Sequence, residues 1–533
     1  MTDNSKSYGI NDWLVDEMGW PDRHDGAAST EPAGLPAAPP VALAPGDRTV
    51  PLRGAAARIA ENMVASLSIP VATSQRVIPV KVIDENRHML NQHRTLVGKS
   101  KISYTHLVGW AIVRALESNP TLNHAFTETA DGPCRVVRAQ VNLGIAVDVA
   151  GKDGSRSLMV PCVRNAQALD FQEFMTAFDD IVVRARTARL TPGDFQGTTI
   201  SLTNPGTVGT VQSVPRLMPG QGAIVATGSI DYPAGYQGSS PETRAAIAIS
   251  KVMTMTCTYD HRIIQGAESG LFLGKIQALL EGQDGFYDRI FADLKVPYRA
   301  VHWEPDRRSM IAGGGRYDEI AKEAAVLQLI NAYRVRGHLI ADLDPLGREP
   351  AYHAELDPAH YGLSIWDLDR EFLTGTLGEA IGGAGGPQPV ATLREILETL
   401  RQTYCGKIGC EYMNIQHPEQ KRWLQQQMEP RANNWPLETG VRLRILDRLL
   451  EAEEFEHFLA ARFVGHKRFS LEGAEAAIPI LDGLLNRAVA GGVREAVIGM
   501  AHRGRLTVLA TITRKDLVQV FSRPLQKSPD PLG

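Results

Sequence analysis

Between Ile247 and Tyr259 the chain alternates: Ile249, Met253, Met255, Cys257 and Tyr259 fall on one side, and Thr254, Thr256 and Thr258 on the other. A period of two marks a strand, here with one apolar and one hydroxyl-rich face. Asp260, His261 and Arg262 follow it directly, and "SGLFLGKIQALLEG" then resumes at helical spacing. Helices are likewise predicted where Ile59, Met63 and Leu67 share a face, in "THLVGWAIVRALESNP" up to Asn119-Pro120, and in "FQEFMTAFDDIVVRARTARL". Further strands are predicted at "VNLGIAVDV" and "GTTISLTNPG". Val326, Leu329, Ile330 and Tyr333 in "DEIAKEAAVLQLINAYRVRGHLIADLDPLG" mark one face of a helix that should stop at Gly337. Strands interspersed with helices make the fold class α/β.

The same pattern sets the domain boundaries. Ile10, Trp13, Leu14 and Met18 recur at helical spacing before Gly19 and Pro21, so residues 1–24 read as a short helix, a docking element or else a frayed terminus. Residues 25–51 are rich in Pro and Ala and cannot bury enough apolar surface to order themselves, which predicts a linker. A compact domain is expected over 52–303, a second linker over 304–323, and another region over 324–533. At 533 residues the chain has room for two or more cores. "GGGRYDEI", from Gly313, follows no strand and reads as a hinge rather than a nucleotide loop.

Composition narrows the partners. A hydrophobic share of 43%, a charged share of 22% and a net charge of -4 are those of an ordinary soluble protein, with nothing to attract nucleic acid or a membrane. No apolar run approaches the roughly 18 residues of a membrane span, and a cytoplasmic location is expected. Five cysteines, an odd number, suit a reducing compartment. Cys405 and Cys410 in "CGKIGC", followed by His417, offer half a metal clip with no second half, so they read as small core residues and no metal ligands are expected.

The candidate chemistry sits at strand ends. A packed strand fixes its backbone while the next side chain reaches into a cleft, and a neutral imidazole there can take a proton from a thiol. His261 is placed for that role, and the plainer reading is that it only hydrogen-bonds its neighbours. Thr203 and Asn204 in "TISLTNPGTVGT" occupy another strand end, where a hydroxyl can stabilise an oxyanion. Spacing alone does not bring Thr203 to His261.

"YDHRIIQGAESG" together with "ISLTNPGTVGTVQSVPRLMPGQGAIVATGSI" resembles the catalytic domain of the 2-oxo acid dehydrogenase acyltransferases, the E2 components, which are relatives of chloramphenicol acetyltransferase. The resemblance runs from about Leu52 to Trp303. It implies that His261 takes the thiol proton, that Thr203 of a neighbouring subunit binds the oxyanion, and that the domain works as a trimer with coenzyme A and a lipoyl group as substrates. Asp260, Arg262 and Asn204 belong to the same motifs. Where most of the family has Asp, this chain has Gln265, which cannot offer Arg262 a charge, so a weaker contact is expected there. The segment before Leu52 has no lipoyl-domain pattern, so the acyl group is expected from a lipoyl-bearing E2 protein, in a complex that also holds dihydrolipoyl dehydrogenase.

After Trp303 the character changes. "GCEYMNIQHPEQKRWLQQQME", "RFVGHKRFSLEGAEAAIPILDGLL" and "EAVIGMAHRGRLTVLA" resemble the N-terminal part of the thiamine diphosphate α/β domain of 2-oxoglutarate dehydrogenase E1. With an E2-like domain ahead of it, the whole resembles the actinobacterial multifunctional 2-oxoglutarate enzymes. That implies a substrate-facing His502, a cofactor-facing Arg503, and thiamine diphosphate with Mg²⁺; on the residues alone, "AVIGM" reads as a strand that ends in these cations, and the plainer reading of them is a basic surface turn. The family's Gly-Asp-Gly motif does not occur in the E1-like part: Gly193-Asp194 is followed by Phe195, and Asp284-Gly285 lies upstream. The chain is therefore expected to be truncated within the E1 part, not to decarboxylate 2-oxoglutarate by itself, and to hold 324–533 poorly unless a partner covers it. Two functions follow: a succinyltransferase of the tricarboxylic acid cycle, or a catalytically impaired trimeric scaffold for dehydrogenase subunits.

Overall fold

The computed structural model describes residues 42–52, 55–150, 156–306, 314–344, 346, 351–466, 468–516 and 518. The helix expected over 1–24 lies outside them; of the 25–51 linker, residues 42–51 are described and form no helix or strand. Helix α1 (Ala55–Ser66) forms where Ile59, Met63 and Leu67 predicted one, yet that face is uncovered, at 38%, 36% and 53% exposure.

The chain then enters β1 (Val71–Pro79), α2 (Lys81–Leu96) and α3 (Tyr104–Ala115). Ser103 starts α3 with a capping box: its hydroxyl accepts from the His106 N–H at 3.2 Å, and the Ser103 N–H donates to His106 Nδ1 at 3.1 Å. A hairpin of β2 (Ala125–Thr129) and β3 (Gly132–Val136) precedes β4 (Leu143–Ile145). "VNLGIAVDV" divides here, because β5 (Val147–Ala150) turns away to pair with β6 (Arg156–Met159). There follow β7 (Cys162–Val163), α4 (Phe171–Arg186), β8 (Ile200–Thr203), β9 (Ala223–Asp231), α5 (Pro241–Ala246), β10 (Val252–Asp260), α6 (Gly266–Leu280) and α7 (Phe286–Asp293).

Six of these strands make one mixed sheet in the order β1-β10-β9-β8-β4-β7. β8 is parallel to both β4 and β9, and the remaining pairs are antiparallel. β10 lies between β1 and β9; Met253, Met255, Cys257 and Tyr259 are buried on its apolar face, and on the hydroxyl-rich face the Thr256 hydroxyl donates to the Ser213 carbonyl at 2.6 Å and Thr258 shares a hydrogen bond with Thr73 at 2.8 Å. Buried hydroxyls need such partners, which explains how a polar face fits a covered sheet.

Helix α8 (Gly314–Arg336) starts inside the stretch read as a 304–323 linker, because Ala, Glu and Lys carry the helical pattern upstream of Ala324. The same finding corrects the hinge at "GGGRYDEI": Gly314 onward is helix, and Gly313 lies outside the described residues. Val326, Leu329, Ile330 and Tyr333 are all buried, and α8 ends before Gly337 as predicted. A side chain at Gly337 would put its Cβ 2.5 Å from the Tyr404 Cβ, so this stop also permits a close approach. Then come β11 (Glu371–Leu373), α9 (Gly378–Gly382), β12 (Val390–Thr392), α10 (Leu393–Tyr404), α11 (Pro418–Met428), α12 (Thr439–Arg462), α13 (Ala477–Ala490) and α14 (Arg505–Thr511).

The core does not divide where the sequence changes character. One buried cluster runs from Ile78 through the sheet to Tyr333, Leu400 and Tyr412. Glu85 on α2 accepts from both Nη1 and Nη2 of Arg394 on α10, the latter at 2.6 Å, and Trp303 meets Trp366 edge-on at 5.6 Å. The expectation that everything after Ala324 stands apart is therefore corrected as far as Tyr412. Beyond it, Ala452, Leu471, Ile478 and Val508 form a small core of their own, while Leu443, Ile480 and Leu484 remain exposed. "AVIGM" is not a strand. A strand draws its backbone bonds from a neighbour, no strand pairs with this segment among the described residues, and Val497 is 99% exposed.

Candidate active site

β10 delivers its final residues to a rim between two backbone contacts. The Asp260 N–H donates to the Gly222 carbonyl at 3.1 Å, and the His261 N–H to the Pro70 carbonyl at 2.9 Å. The chain then turns tightly, with the Ile263 and Ile264 N–H groups both on the Asp260 carbonyl at 3.2 and 3.0 Å. Asp260 is only 2% exposed, and its carboxylate is engaged by its own neighbour but one. Oδ1 accepts from the Arg262 backbone N–H at 3.1 Å and from Nε at 2.9 Å, and Oδ2 accepts from Nη2 at 2.7 Å. That fork is the strong form of a charge-assisted pair, and the carboxylate raises the Arg262 pKa above its ordinary value.

Arg262 is also stacked at 3.8 Å over the ring of Phe126, on β2. Arg135, on β3, donates from Nη2 to the Ile263 carbonyl at 2.6 Å. The hairpin thus pins the turn from the side. The sequence carried no signal for either residue, since both lie more than a hundred positions upstream.

His261 itself is exposed, its ring 5.6 Å from that of Tyr259. No hydrogen bond to its ring nitrogens occurs among the described residues, which leaves the imidazole open to an incoming group. Gln265 does not reach for Arg262. It occupies the N-cap of α6, where its backbone N–H donates to the Glu268 carboxylate at 2.7 Å, and Asp260 supplies the charge that Gln265 lacks.

Thr203 ends β8 and is half-buried, paired in register with Ala226. The amide of Asn204 donates to the Thr105 hydroxyl at 3.0 Å, tying this strand end to the start of α3. The Pro-Gly turn beyond it lies flat on β9: a Cβ at Gly206 would sit 2.2 Å from the Gly228 carbonyl oxygen. Because Ala226 also pairs with Thr256, Thr203 stands two strands and five residues from His261. At ordinary strand spacings that is roughly 19 Å. Within one chain the two residues are not brought together.

His502 and Arg503 lie in a separate place. His502 stacks on Phe469 at 5.0 Å, Arg503 Nη2 donates to the Glu472 carbonyl at 2.6 Å, and both side chains are exposed before α14. Among the described residues no group of three His, Cys, Asp or Glu side chains is placed to hold a metal ion. Cys405 is buried, its thiol pushed up to about 12 by that burial, and Cys410 accepts a hydrogen bond from Asn433 at 3.3 Å.

Residues 44–286 match the family model described as 2-oxoacid dehydrogenases acyltransferase (catalytic domain). That stretch contains the mixed α/β sheet described above and is similar to an acyltransferase catalytic domain. The chain is also 48% identical over 488 residues to the multifunctional 2-oxoglutarate metabolism enzyme of Mycolicibacterium vanbaalenii, which covers 91% of this chain and 38% of that protein. The enzyme of the same name from Mycobacterium sp. strain JLS is 47% identical over 500 residues, covering 93% and 38%. The chain thus spans about two fifths of the length of the curated relatives it matches. Among solved structures, a probable dihydrolipoamide acetyltransferase from Listeria monocytogenes aligns with a TM-score of 0.38 and 25% identity, over 45% of this chain and 96% of that one. The cubic core of a pyruvate dehydrogenase multienzyme complex aligns with a TM-score of 0.40 and 21% identity, over 46% and 97%. No helix among the described residues is long and apolar enough to cross a membrane.

Proposed function

We propose that this chain transfers succinyl between the thiols of a dihydrolipoyl group and coenzyme A, as part of 2-oxoglutarate oxidation. The observation that carries the reading is an uncommitted imidazole, His261, at the end of a buried strand whose last carboxylate is spent on locking the turn. His261 accepts the proton of the attacking thiol. The thiolate adds to the thioester carbonyl, giving a tetrahedral oxyanion, and collapse expels the second thiolate, which recovers the proton from the imidazolium. The Thr203 hydroxyl donates to the oxyanion. Since roughly 19 Å separates it from His261 within one chain, the Thr203 that serves a given His261 belongs to a neighbouring copy, and the working unit is an assembly, with the trimer as the family's form. Asp260 and Arg262 position the turn, and Asn204 positions the strand end that bears Thr203. The succinyl preference is supported by the likeness to 2-oxoglutarate enzymes along nearly the whole chain. The lipoyl group arrives on a lipoyl-bearing partner in a complex that includes dihydrolipoyl dehydrogenase, in the cytoplasm.

The test is thioester formation from succinyl-CoA and dihydrolipoamide by the chain and by its His261→Ala variant. A loss of two to four orders of magnitude, the usual worth of a general base, supports the reading. Equal turnover by both would show that His261 is not the base, and no turnover from either would favour an inactive scaffold.

A further inference from the structure

A cavity of about 190 Å³ lies where α2 and residues 297–304 meet α10 and residues 352–368, with no residue of the β10 rim in its lining. Met89, Leu356 and Leu397 give it apolar walls. Arg401, on α10, closes one side and is only 5% exposed. Its Nε donates to the Tyr333 hydroxyl at 3.3 Å, its Nη1 to Gln92 Oε1 at 3.5 Å, and its guanidinium stacks 4.5 Å from the Tyr298 ring centroid. It forms no ion pair among the described residues. By contrast Arg334, also buried, is neutralised by Glu429, and the partly exposed Arg394 by Glu85 and Asp369. A buried cation without a counter-ion is costly unless something supplies the charge.

A second group points to the same place. Tyr298 lines this cavity, and its hydroxyl is buried with no hydrogen-bond partner. Burial raises its pKa well above that of a free phenol, so it keeps its proton as a donor. Of the four carboxylates on the cavity wall, Glu304 is exposed to solvent, and the other three are engaged: Glu85 with Lys81 and Arg394, Asp357 with the Ala359 N–H and the Tyr352 hydroxyl, and Glu398 with the Gln402 amide. His88 is held below its ordinary value by burial and by Arg394, so at neutral pH it adds no second cation, and Arg299 stands exposed at the rim.

We infer that this cavity binds a small organic monocarboxylate, its carboxylate held between Arg401 and the Tyr298 hydroxyl and its apolar body against Met89, Leu356 and Leu397. One buried cation matches one negative charge, which favours a carboxylate over a phosphate dianion. The ligand would bridge the acyltransferase domain and the region that follows it.

The test is calorimetric titration of the full chain with acetate, butyrate, benzoate and phenylacetate, each beside its amide. The expected result is saturable binding of at least one acid and none of its amide. Tyr298→Phe, which removes one unpartnered oxygen and should leave the fold intact, is expected to weaken that acid roughly tenfold to a hundredfold. Arg401→Gln is expected to abolish binding; if that variant does not fold, Tyr298→Phe decides. Binding of no acid, equal binding of acids and amides, or an unchanged affinity in Tyr298→Phe would overturn the inference.

Discussion

Arg262→Gln isolates the lock beside His261. The substitution removes the charge and two of the three donors on the Asp260 carboxylate, leaving only the backbone N–H at 3.1 Å. Charge-assisted bonds are worth about 1.5–3 kcal/mol each in buried settings. The Arg262 side chain is 31% exposed, so solvent screening brings the pair down to about 2–3 kcal/mol in total. If the lock holds the imidazole in position, most of that appears in the transition state, and kcat/KM for succinyl transfer should fall roughly 30- to 150-fold. Kinetics is the better readout, because a chain of 533 residues is too large for its unfolding to be treated as two-state. The decisive assay is a double-mutant cycle with Asp260→Asn. A coupled pair makes the double variant no worse than the poorer single one, whereas purely additive losses, or less than a threefold drop in Arg262→Gln, would refute the reasoning.

The remaining expectations concern the joint and the core. Arg394→Ala leaves the buried Glu85 with Lys81 alone. Amide exchange in α2 and α10 should then accelerate by at least tenfold, and unchanged protection would mean the pair holds nothing. Burial pushes both Asp367 and Asp369 up, but Lys322 and Arg370 at the first, and Lys81 and Arg394 at the second, outweigh it and hold both below the ordinary carboxyl range. Their contribution to stability is therefore complete above the unfolded pKa of about 3.9 and is lost as pH falls through the folded values; a melting temperature that stays flat on acidification below about pH 4 would contradict it. Gly337→Ala should cost about 1–3 kcal/mol, because its Cβ meets Tyr404 at 2.5 Å, and an unshifted melting curve would show that α8 and α10 can part at no cost.

What the sequence made legible was mostly local. The period-two run into Asp260-His261-Arg262 and the buried face of α8 follow from side-chain spacing, and both elements formed where that spacing put them. The site's supports were not legible, because Phe126 and Arg135 reach the turn only after the hairpin folds back over it. "AVIGM" failed as a strand for the complementary reason: five apolar residues suit a ladder, but a ladder needs a neighbour that no periodicity guarantees. The linker over 304–323 failed because composition marks a break in resemblance, and a break in resemblance is not a break in packing.

The shared core also sets a timetable for synthesis. Glu85 has Lys81 beside it on α2, but it waits for its second partner, Arg394, 309 positions later. At about 5–20 residues per second, that wait lasts roughly 15–60 s on the ribosome. Throughout it, one flank of α2 stays open to other nascent chains, including those of its own kind, so assembly between copies competes from the start with completion of each copy.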